Sequence, residues 1–239
     1  MFTTAIIPVK HLHDSKRRLA HLLSADERAD LIGRFLDNLL LTLSATPGIH
    51  RTLVVTCDPA VVGLARRRGV DVLLEAAADG LNTAADRGAA HALSDGATAV
   101  LLLPADLPFA RVEDIEAVLR PLTADRRPLR EGPGSRGQVL GAERAPLLPC
   151  PPAPLPSSLA PLLALCPDET EDGTNALLLA PPGDFTFRYG PGSFRAHLAE
   201  AARRGRSAHV VPAPGLRFDL DTESDWLVYN GYLVGVGEE

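Results

Sequence analysis

Several features are scarce in this 239-residue sequence, and each scarcity argues against a class of protein. Three cysteines, none in a C-x-x-C pair, argue against a disulfide scaffold or a zinc site and favour a reducing compartment. Seven histidines include no H-E-x-x-H motif, so a histidine-based metal site is not expected. No apolar run reaches the roughly 18 residues that span a bilayer, and no segment resembles a signal peptide. We therefore expect a cytoplasmic protein that does not bind a membrane.

Positive charge is also in the minority, since 24 Lys and Arg residues against 30 Asp and Glu residues give a net charge of −6 at pH 7. A protein that binds nucleic acid normally carries a basic surface, so that partner is not expected. The exception is a basic loop near the N-terminus, which contains Lys10, Lys16, Arg17 and Arg18. One such loop on an acidic protein suits a small polyanion, and the alternative is a solvated run of surface charges.

Strand and helix patterns alternate along the first half of the chain, which predicts parallel strands joined by helical crossovers. Strands are predicted at 5–9, 53–57, 70–74 and 99–103, and helices at 60–68, 82–93 and 112–119. A further helix is predicted to start at a capping box, Ser24-x-x-Glu27, which is followed by apolar residues at helical spacing over 31–43. The second half predicts strands at 162–166, 175–179, 184–189, 209–211 and 216–220, a helix at 194–204, and a last helix that starts near Thr222, where Thr222-x-x-Asp225 resembles another cap. We expect a single α/β domain with Cys57 and Cys166 in its core.

Proline is concentrated in one stretch, because residues 121–161 hold ten of the 21 prolines. A packed sheet cannot accommodate so many residues without an N–H donor, so we predict a loop or flap at about 121–161. A G-x-G-x-x-G sequence at 132–137 has neither the preceding strand nor the following helix of a dinucleotide-binding site. We therefore interpret it as coincidental.

Acidic side chains follow or lie on two predicted strands. Asp106 comes directly after the most apolar strand, whereas Asp219 and Asp221 alternate along the predicted strand at 216–220 and would project to one side. Two carboxylates about 4 Å apart repel by roughly 1–4 kcal/mol, which calls for a cation, and Mg²⁺ prefers oxygen ligands. The alternative is that these aspartates cap helices or lie on the surface.

Two loops of small residues, 173–175 and 190–193, could bind an anion. The second precedes a predicted helix, whose N-terminal N–H groups attract negative charge. The alternative, Ser193 as an ordinary helix cap, is the more frequent arrangement. The basic loop also follows the first strand, at the edge where open α/β sheets bind ligands.

Six motifs occur in order along the chain. They are Ile7-Pro8-Val9-Lys10 with Lys16-x-Arg18-Leu19, Gly80-Leu81-Asn82, Pro104-Ala105-Asp106-Leu107-Pro108, Gly173-Thr174-Asn175-Ala176-Leu177, Gly190-x-Gly192-Ser193-Phe194-x-x-His197, and Asp219-Leu220-Asp221-Thr222. Together they resemble the 2-phospho-L-lactate or phosphoenolpyruvate guanylyltransferases of coenzyme F-420 biosynthesis. The resemblance implies a single nucleotidyltransferase domain over 1–239, with the Rossmann-like, GT-A-like fold of molybdenum-cofactor guanylyltransferases and a mixed, mostly parallel sheet. It also implies transfer of GMP from GTP to a phosphorylated three-carbon acid, with release of pyrophosphate.

The same resemblance implies roles for individual residues. The nucleotide-binding residues would be Pro8, Lys10, Lys16, Arg18, Gly80, Leu81, Asn82 and Asp106, of which Lys10, Lys16 and Asp106 would be catalytic. The acceptor-binding residues would be Thr174, Asn175, Gly190 and Ser193, and Mg²⁺ would be bound by Asp106, Asp219 and Asp221. The choice between the two acceptors, and the presence of a homodimer, stay open.

Two alternatives remain at this point. One is another nucleotidyltransferase, acting on molybdopterin or a sugar phosphate, although those enzymes usually begin with a glycine-rich loop and this loop is rich in Lys and Arg. The other is a non-catalytic nucleotide-binding module that uses the proline-rich stretch for docking. Three clustered aspartates argue against the module, because binding alone does not require them.

Overall fold

The computed structural model describes residues 1–124 and 160–236, which contain one seven-stranded sheet flanked by helices. The strands are β1 (Thr3–Val9), β2 (Arg51–Thr56), β3 (Asp71–Leu74), β4 (Ala99–Leu102), β5 (Leu162–Pro167), β6 (Thr174–Ala180) and β7 (Ser207–Val210). Their order is β3-β2-β1-β4-β6-β5-β7. Neighbours pair in parallel except for β6, which is antiparallel to both β4 and β5. The predicted mixed, mostly parallel sheet is confirmed.

Helices connect these strands and cover the sheet. They are α1 (Ala25–Ala45), α2 (Pro59–Arg67), α3 (Leu81–Ser94), α4 (Val112–Leu119), α5 (Pro121–Ala124), α6 (Ser193–Arg203), α7 (Pro214–Arg217) and α8 (Glu223–Val236). Two short 3-10 turns, Leu12–Asp14 and Arg17–Leu19, form the basic loop between β1 and α1. No helix of the described chain is long and apolar enough to cross a membrane.

The core lies on both faces of the sheet. Successive residues of β1 point to opposite faces, so Ile7 packs in the cluster that includes Phe35 of α1, and Ile6 packs in the one that includes Ala85 of α3. The contact of α3 with the sheet is close, since a Cβ on Gly88 would lie 2.6 Å from Cγ2 of Ile6. Glycine at this position therefore allows α3, and the loop before it, to approach the end of β1.

The predicted helix starts are borne out by their hydrogen bonds. In the capping box of α1, the backbone N–H of Glu27 donates to Oγ of Ser24 at 3.3 Å, and Oε2 of Glu27 accepts from the Ser24 N–H at 2.8 Å. Thr222 and Asp225 are joined in the same way before α8, with distances of 3.3 and 2.6 Å. Both caps satisfy backbone donors that a helix N-terminus leaves unpaired.

Two of the predicted strands are wrong. Residues 216–220 contain the end of α7 and an irregular segment, because Pro214 can begin a helical turn but cannot donate to a sheet. Residues 184–189 belong to no strand, although their aromatic residues alternate. Their backbone N–H groups bond to side chains instead: Thr186 to Glu200, and Arg188 to His197. The alternation therefore reflects side-chain packing without strand pairing.

The cysteine prediction is correct for one residue and wrong for another. Cys166 is fully buried in β5. Cys57 lies just after β2 and is only half-buried, because the strand ends at Thr56 and the chain turns towards His11, whose Nε2 lies 3.4 Å from the Cys57 sulfur. Most of the predicted loop at 121–161, including Cys150 and the glycine sequence at 132–137, lies outside the described residues.

Candidate active site

Three carboxylates meet at one edge of the sheet. Because β6 is antiparallel to β4, its N-terminal end lies at the same edge as the C-terminal ends of β1 and β4, where open α/β sheets bind ligands. Asp106 follows β4, and Asp219 and Asp221 lie between α7 and α8. One oxygen from each carboxylate lies within 4.8 Å of the others. The structure thus brings together the three aspartates that were grouped from the sequence, although no strand holds Asp219 and Asp221.

Lys16 lies against two of these carboxylates. Its side chain is 5% exposed, and its Nζ contacts Oδ2 of Asp106 and lies 2.5 Å from Oδ1 of Asp221. Burial alone would lower the pKa of Lys16, but the negative charges of the two aspartates outweigh it and raise the pKa above its usual value. The ammonium is therefore charged and acts as the counter-ion of the acidic cluster.

Asp219 is partly buried, and this burial affects the ionisation of its carboxyl group. Burial raises the pKa of its carboxyl to about 6, and the charge of Asp106 adds to this, against the hydrogen bond that Nδ2 of Asn175 donates to Asp219 at 3.2 Å. The same Nδ2 donates to the carbonyl oxygen of Arg217 at 3.1 Å. Asn175, at the start of β6, therefore fixes the position of the segment that carries Asp219.

The cluster fits a divalent cation. Oδ1 of Asp106 is buried and has no hydrogen-bond partner in the described parts of the chain, 1–124 and 160–236. A buried carboxylate oxygen without a partner is costly, and a cation would satisfy it. With Asp219 and Asp221 it completes a set of oxygen donors, the ligands that hard divalent cations prefer. The residues present therefore match the predicted metal-binding set in chemistry and in proximity.

A cavity of about 320 Å³ lies on one side of the carboxylates, between the end of β1 and the start of α3. Its lining includes six of the predicted nucleotide-binding residues: Pro8, Lys10, Lys16, Gly80, Leu81 and Asp106. Arg18 lines an adjoining hollow in the basic loop, which shares Lys10, Lys16 and Asp221 with the first cavity. We call the 320 Å³ cavity the donor cavity, after the donor nucleotide that the resemblance predicts to bind there. Apolar lining residues of the donor cavity and the basic loop therefore lie on the same side of the acidic cluster.

Asn82 is predicted to bind the nucleotide, but in the structure its side chain bonds to the backbone of Tyr189. Its Nδ2 donates to the carbonyl oxygen of Tyr189 at 3.1 Å, and the Tyr189 N–H donates to its Oδ1 at 2.6 Å. This pair of hydrogen bonds ties the first turn of α3 to the loop before Gly190. Asn82 therefore connects the two sides of the site, and the structure does not place it in the lining of the donor cavity.

A second cavity, of about 230 Å³, lies on the other side of the carboxylates. Its lining includes all four predicted acceptor-binding residues: Thr174, Asn175, Gly190 and Ser193. We call it the acceptor cavity, after the acceptor acid that the resemblance predicts to bind there. Asp106 and Asp221 line both cavities, and Asp219 lines this one. The carboxylates therefore stand at the boundary between two spaces, as a reaction between two bound molecules requires.

A buried histidine orients a hydroxyl in the acceptor cavity. Nε2 of His197 accepts from the Arg188 N–H at 2.9 Å, which assigns the ring proton to Nδ1, 3.0 Å from Oγ1 of Thr174. The same Oγ1 accepts from Oγ of Ser193 at 3.3 Å. Burial lowers the pKa of His197 to about 4, so the ring is neutral at pH 7. Since the Thr174 oxygen already accepts two hydrogen bonds, its proton is available to a ligand.

Two side chains at the site were not assigned a role from the sequence. His197 is part of a motif but lies inside a helix, so its hydrogen bonds are visible only in three dimensions. Glu75 lines the donor cavity with a side chain that is 6% exposed. It directly follows β3, at the same edge as Asp106. Asp106 is a candidate because it is an acidic residue at the carboxyl end of a predicted strand. Glu75 follows the predicted strand at 70–74 and meets the same criterion.

Comparison with known proteins identifies the family. The sequence profile of the family described as "Guanylyl transferase CofC like" matches residues 3–135. The chain belongs to this family. A phosphoenolpyruvate guanylyltransferase from Rubrobacter xylanophilus is 36% identical over 94% of this chain and 92% of its own length. One from Sphaerobacter thermophilus is 33% identical over 94% and 91%. The resemblance inferred from the six motifs is confirmed.

Solved structures support the same fold at low sequence identity. A nucleotidyl transferase from Methanothermobacter has a TM-score of 0.61 and 13% identity, covering 98% of this chain and 99% of its own. A CMP:2-keto-3-deoxy-manno-octonic acid synthetase has a TM-score of 0.55 and 11% identity, covering 98% and 99%. The predicted nucleotidyltransferase fold is confirmed, and the chain is an enzyme of the nucleotidyltransferase class.

Proposed function

We propose that this family member transfers GMP from GTP to the phosphate of phosphoenolpyruvate, releasing pyrophosphate, as a step in the biosynthesis of coenzyme F-420. The observation that carries the proposal is the position of Asp106 and Asp221 between the donor and acceptor cavities. The names of the relatives favour phosphoenolpyruvate over 2-phospho-L-lactate. The two acids carry the same charge and differ in planarity, so either one suits a small cavity whose lining includes hydroxyl and amide groups.

In the donor cavity, GTP would lie with its base towards Gly80 and Leu81 and its phosphates towards the basic loop. This orientation is supported by the distribution of charge, because Lys10, Lys16 and Arg18 lie on the loop, whereas an exposed apolar side chain, Leu81, lies at the start of α3. Cations that contact the phosphates offset the repulsion between two anionic substrates. Lys10 and Lys16 would thus be catalytic through charge and position.

In the acceptor cavity, the phosphorylated acid would be held mainly by hydroxyl and backbone donors. The orientation of the Thr174 proton supports this, since the hydroxyl can donate to a carboxylate or phosphate oxygen. Gly190 has a φ of 128°, a backbone conformation that favours glycine and leaves its N–H unobstructed by a side chain. Ser193 and Asn175 complete the lining.

Mg²⁺ would be held by Asp106, Asp219 and Asp221, the three oxygen donors of the acidic cluster. When bound, it would neutralise phosphate charge and so stabilise the charge that develops on the leaving pyrophosphate. The unpartnered Oδ1 of Asp106 supports this assignment within the described residues. Asn175 would keep Asp219 aimed into the cluster through its hydrogen bond.

The reaction needs little proton transfer from the protein. A phosphate oxygen of the acceptor, already anionic near pH 7, attacks the α-phosphorus of GTP, one P–O bond forms, and the bond to pyrophosphate breaks. His197 does not act as a base, because both of its ring nitrogens are hydrogen-bonded within the protein. The work of the enzyme is then to position the two substrates and to offset their negative charge, as in other phosphoryl-transfer sites.

Mass spectrometry of the products formed from GTP and each candidate acid tests the proposal. We expect a GMP adduct and pyrophosphate with phosphoenolpyruvate, and less with 2-phospho-L-lactate, 3-phosphoglycerate or a sugar phosphate. Asp106→Ala and Asp221→Ala should abolish turnover while the protein stays folded, and Asp30→Ala, on an exposed position of α1, is the control. GMP transfer at the wild-type rate in either site variant would contradict the assignment of the cluster.

Other expectations from the sequence remain predictions. These are a cytoplasmic location, a homodimer, and a single domain over 1–239 with a proline-rich flap. Exposed apolar side chains on α8, Leu227 and Val228, support the homodimer. Sedimentation of the purified protein, compared with a Leu227→Glu variant, measures whether this surface associates.

A further inference from the structure

The donor cavity contains one anionic side chain that the proposed reaction does not use. Glu75 follows β3, two strands away from β1 and three from β4 in the order β3-β2-β1-β4. With strands about 4.8 Å apart, Glu75 lies about 14 Å along the sheet from the end of β4, where Asp106 is found. A nucleotide whose phosphates lie at the basic loop and the acidic cluster would therefore extend its base towards Glu75.

The carboxylate of Glu75 is held in a fixed position. Its side chain is 6% exposed, and its Oε1 accepts from Nη1 of Arg87 on α3 at 2.8 Å. Nη2 of the same arginine donates to Asp79 at 2.7 Å, and the backbone N–H of Glu75 donates to the carbonyl oxygen of Thr56 at 2.9 Å. Arg87 pairs with the carboxylate and orients it, and Oε2 receives no hydrogen bond within residues 1–124 and 160–236.

A carboxylate oxygen that lacks a hydrogen-bond donor, as Oε2 does, is unfavourable in a cavity that admits an anionic nucleotide unless it faces a part of the ligand that donates hydrogen bonds. The Watson–Crick edge of guanine is such a part, because N1–H and the exocyclic N2 amino group are adjacent donors. Adenine instead presents the N1 lone pair, which a carboxylate repels. The exposed Leu81 and the small Ala84 line the same cavity and offer an apolar surface for the flat base.

We propose that Glu75 is the residue that selects guanine, accepting hydrogen bonds from N1–H and the N2 amino group of the base. This rests on the proposed use of GTP and explains how the donor cavity would distinguish GTP from ATP. A site built to pair with donor groups rejects a ligand that lacks them by large factors, because its buried polar atoms are then left unpaired.

Changing the carboxylate to an amide gives a specific test. Xanthine has a carbonyl oxygen where guanine has the N2 amino group, so the amide of Glu75→Gln could donate to that oxygen and still accept from N1–H. We expect the wild-type protein to prefer GTP to ATP by about 10³-fold or more, and Glu75→Gln to change the GTP-to-XTP preference by about 100-fold towards XTP. ITP, which keeps N1–H and lacks the amino group, should fall between GTP and ATP.

Asp79→Asn is the matched control. Asp79 binds the same arginine, but its side chain is 47% exposed and it does not line the donor cavity. We expect this variant to leave the ratios among GTP, ITP, XTP and ATP within about threefold of the wild type. Because ratios do not depend on the fraction of folded enzyme, a loss of stability alone cannot imitate the expected change.

The same ratios are measured by equilibrium binding in the absence of an acceptor, which separates the two proposals. Unchanged preferences in Glu75→Gln, or equal binding of GTP and ATP by the wild-type protein, would overturn the role of Glu75. Selective GTP binding that moves towards XTP in the variant supports that role even if no acid accepts GMP. The absence of GMP transfer would instead count against the proposed function.

Discussion

Replacing Asp219 by Asn should stabilise the metal-free protein at neutral pH while removing a predicted cation ligand. Burial raises the pKa of Asp219 from 3.8 to about 6, so between these values the folded protein holds a proton that the unfolded chain has lost. The free energy of unfolding therefore falls as the pH rises from about 4 to 6, and it stays lower above pH 6. Asparagine does not ionise and avoids this loss.

The magnitude follows from the shift. The difference between about 6 and 3.8 is about 2 pKa units, which corresponds to about 3 kcal/mol at 1.36 kcal/mol per unit. Asp219 lines an open cavity, so solvent screening reduces our expectation to about 2 kcal/mol. The Oδ1 of asparagine can still accept the hydrogen bond from Asn175, so the exchange keeps that contact.

Urea unfolding in EDTA, followed by circular dichroism at two pH values, measures this effect. We expect Asp219→Asn to be more stable than the wild type by about 2 kcal/mol at pH 8, and by less than about 1 kcal/mol at pH 4.5. Asp30→Asn, on the exposed face of α1, should stay within about 0.5 kcal/mol of the wild type at both. A gap that is absent at pH 8, or that does not shrink in acid, would refute the explanation.

Four other substitutions have expected outcomes. Gly88→Ala should lower the free energy of unfolding by about 1–3 kcal/mol in a urea titration, because its methyl group would lie 2.6 Å from a side chain of β1. Gly33→Ala should raise the free energy of unfolding by about 0.5–1 kcal/mol in the same titration, because nothing lies within 4 Å of its added methyl group. Ser24→Ala removes the cap of α1 and should lower the free energy of unfolding by about 1 kcal/mol, measured by calorimetry. Asn82→Ala releases the backbone of Tyr189, so the KM for the acceptor acid should rise about tenfold, measured by pyrophosphate release, with the KM for GTP changed much less.

The elements of the first half of the chain could be predicted because their signals are local. The apolar run of β4 and the capping box at Ser24 involve residues a few positions apart. The segment 184–189 could not be predicted in this way. Its alternating aromatic residues look like a half-buried strand, but Thr186 and Arg188 bond to side chains of α6 that no local pattern reveals.

The candidate site likewise combines features that the sequence predicts with contacts that it does not. The sequence places Asp106 and the basic loop at the right edge of the sheet, since both follow strands. It does not reveal that Lys16 is paired with Asp106 and Asp221, which are 90 and 205 positions away, or that Asn82 binds Tyr189, 107 positions away. Such contacts depend on how the sheet is assembled. The sequence therefore predicts which side chains belong to the site, but not which of them bond to each other.

The counter-ion within the acidic cluster has a consequence for how the protein matures. In many small metalloproteins folding waits for the metal, since the ligands repel one another until it arrives. Here the newly made chain carries its own positive charge, because the buried ammonium of Lys16 already neutralises part of the repulsion between Asp106 and Asp221. We therefore expect the fold to form without a divalent cation, and chelation to stop catalysis without unfolding the protein.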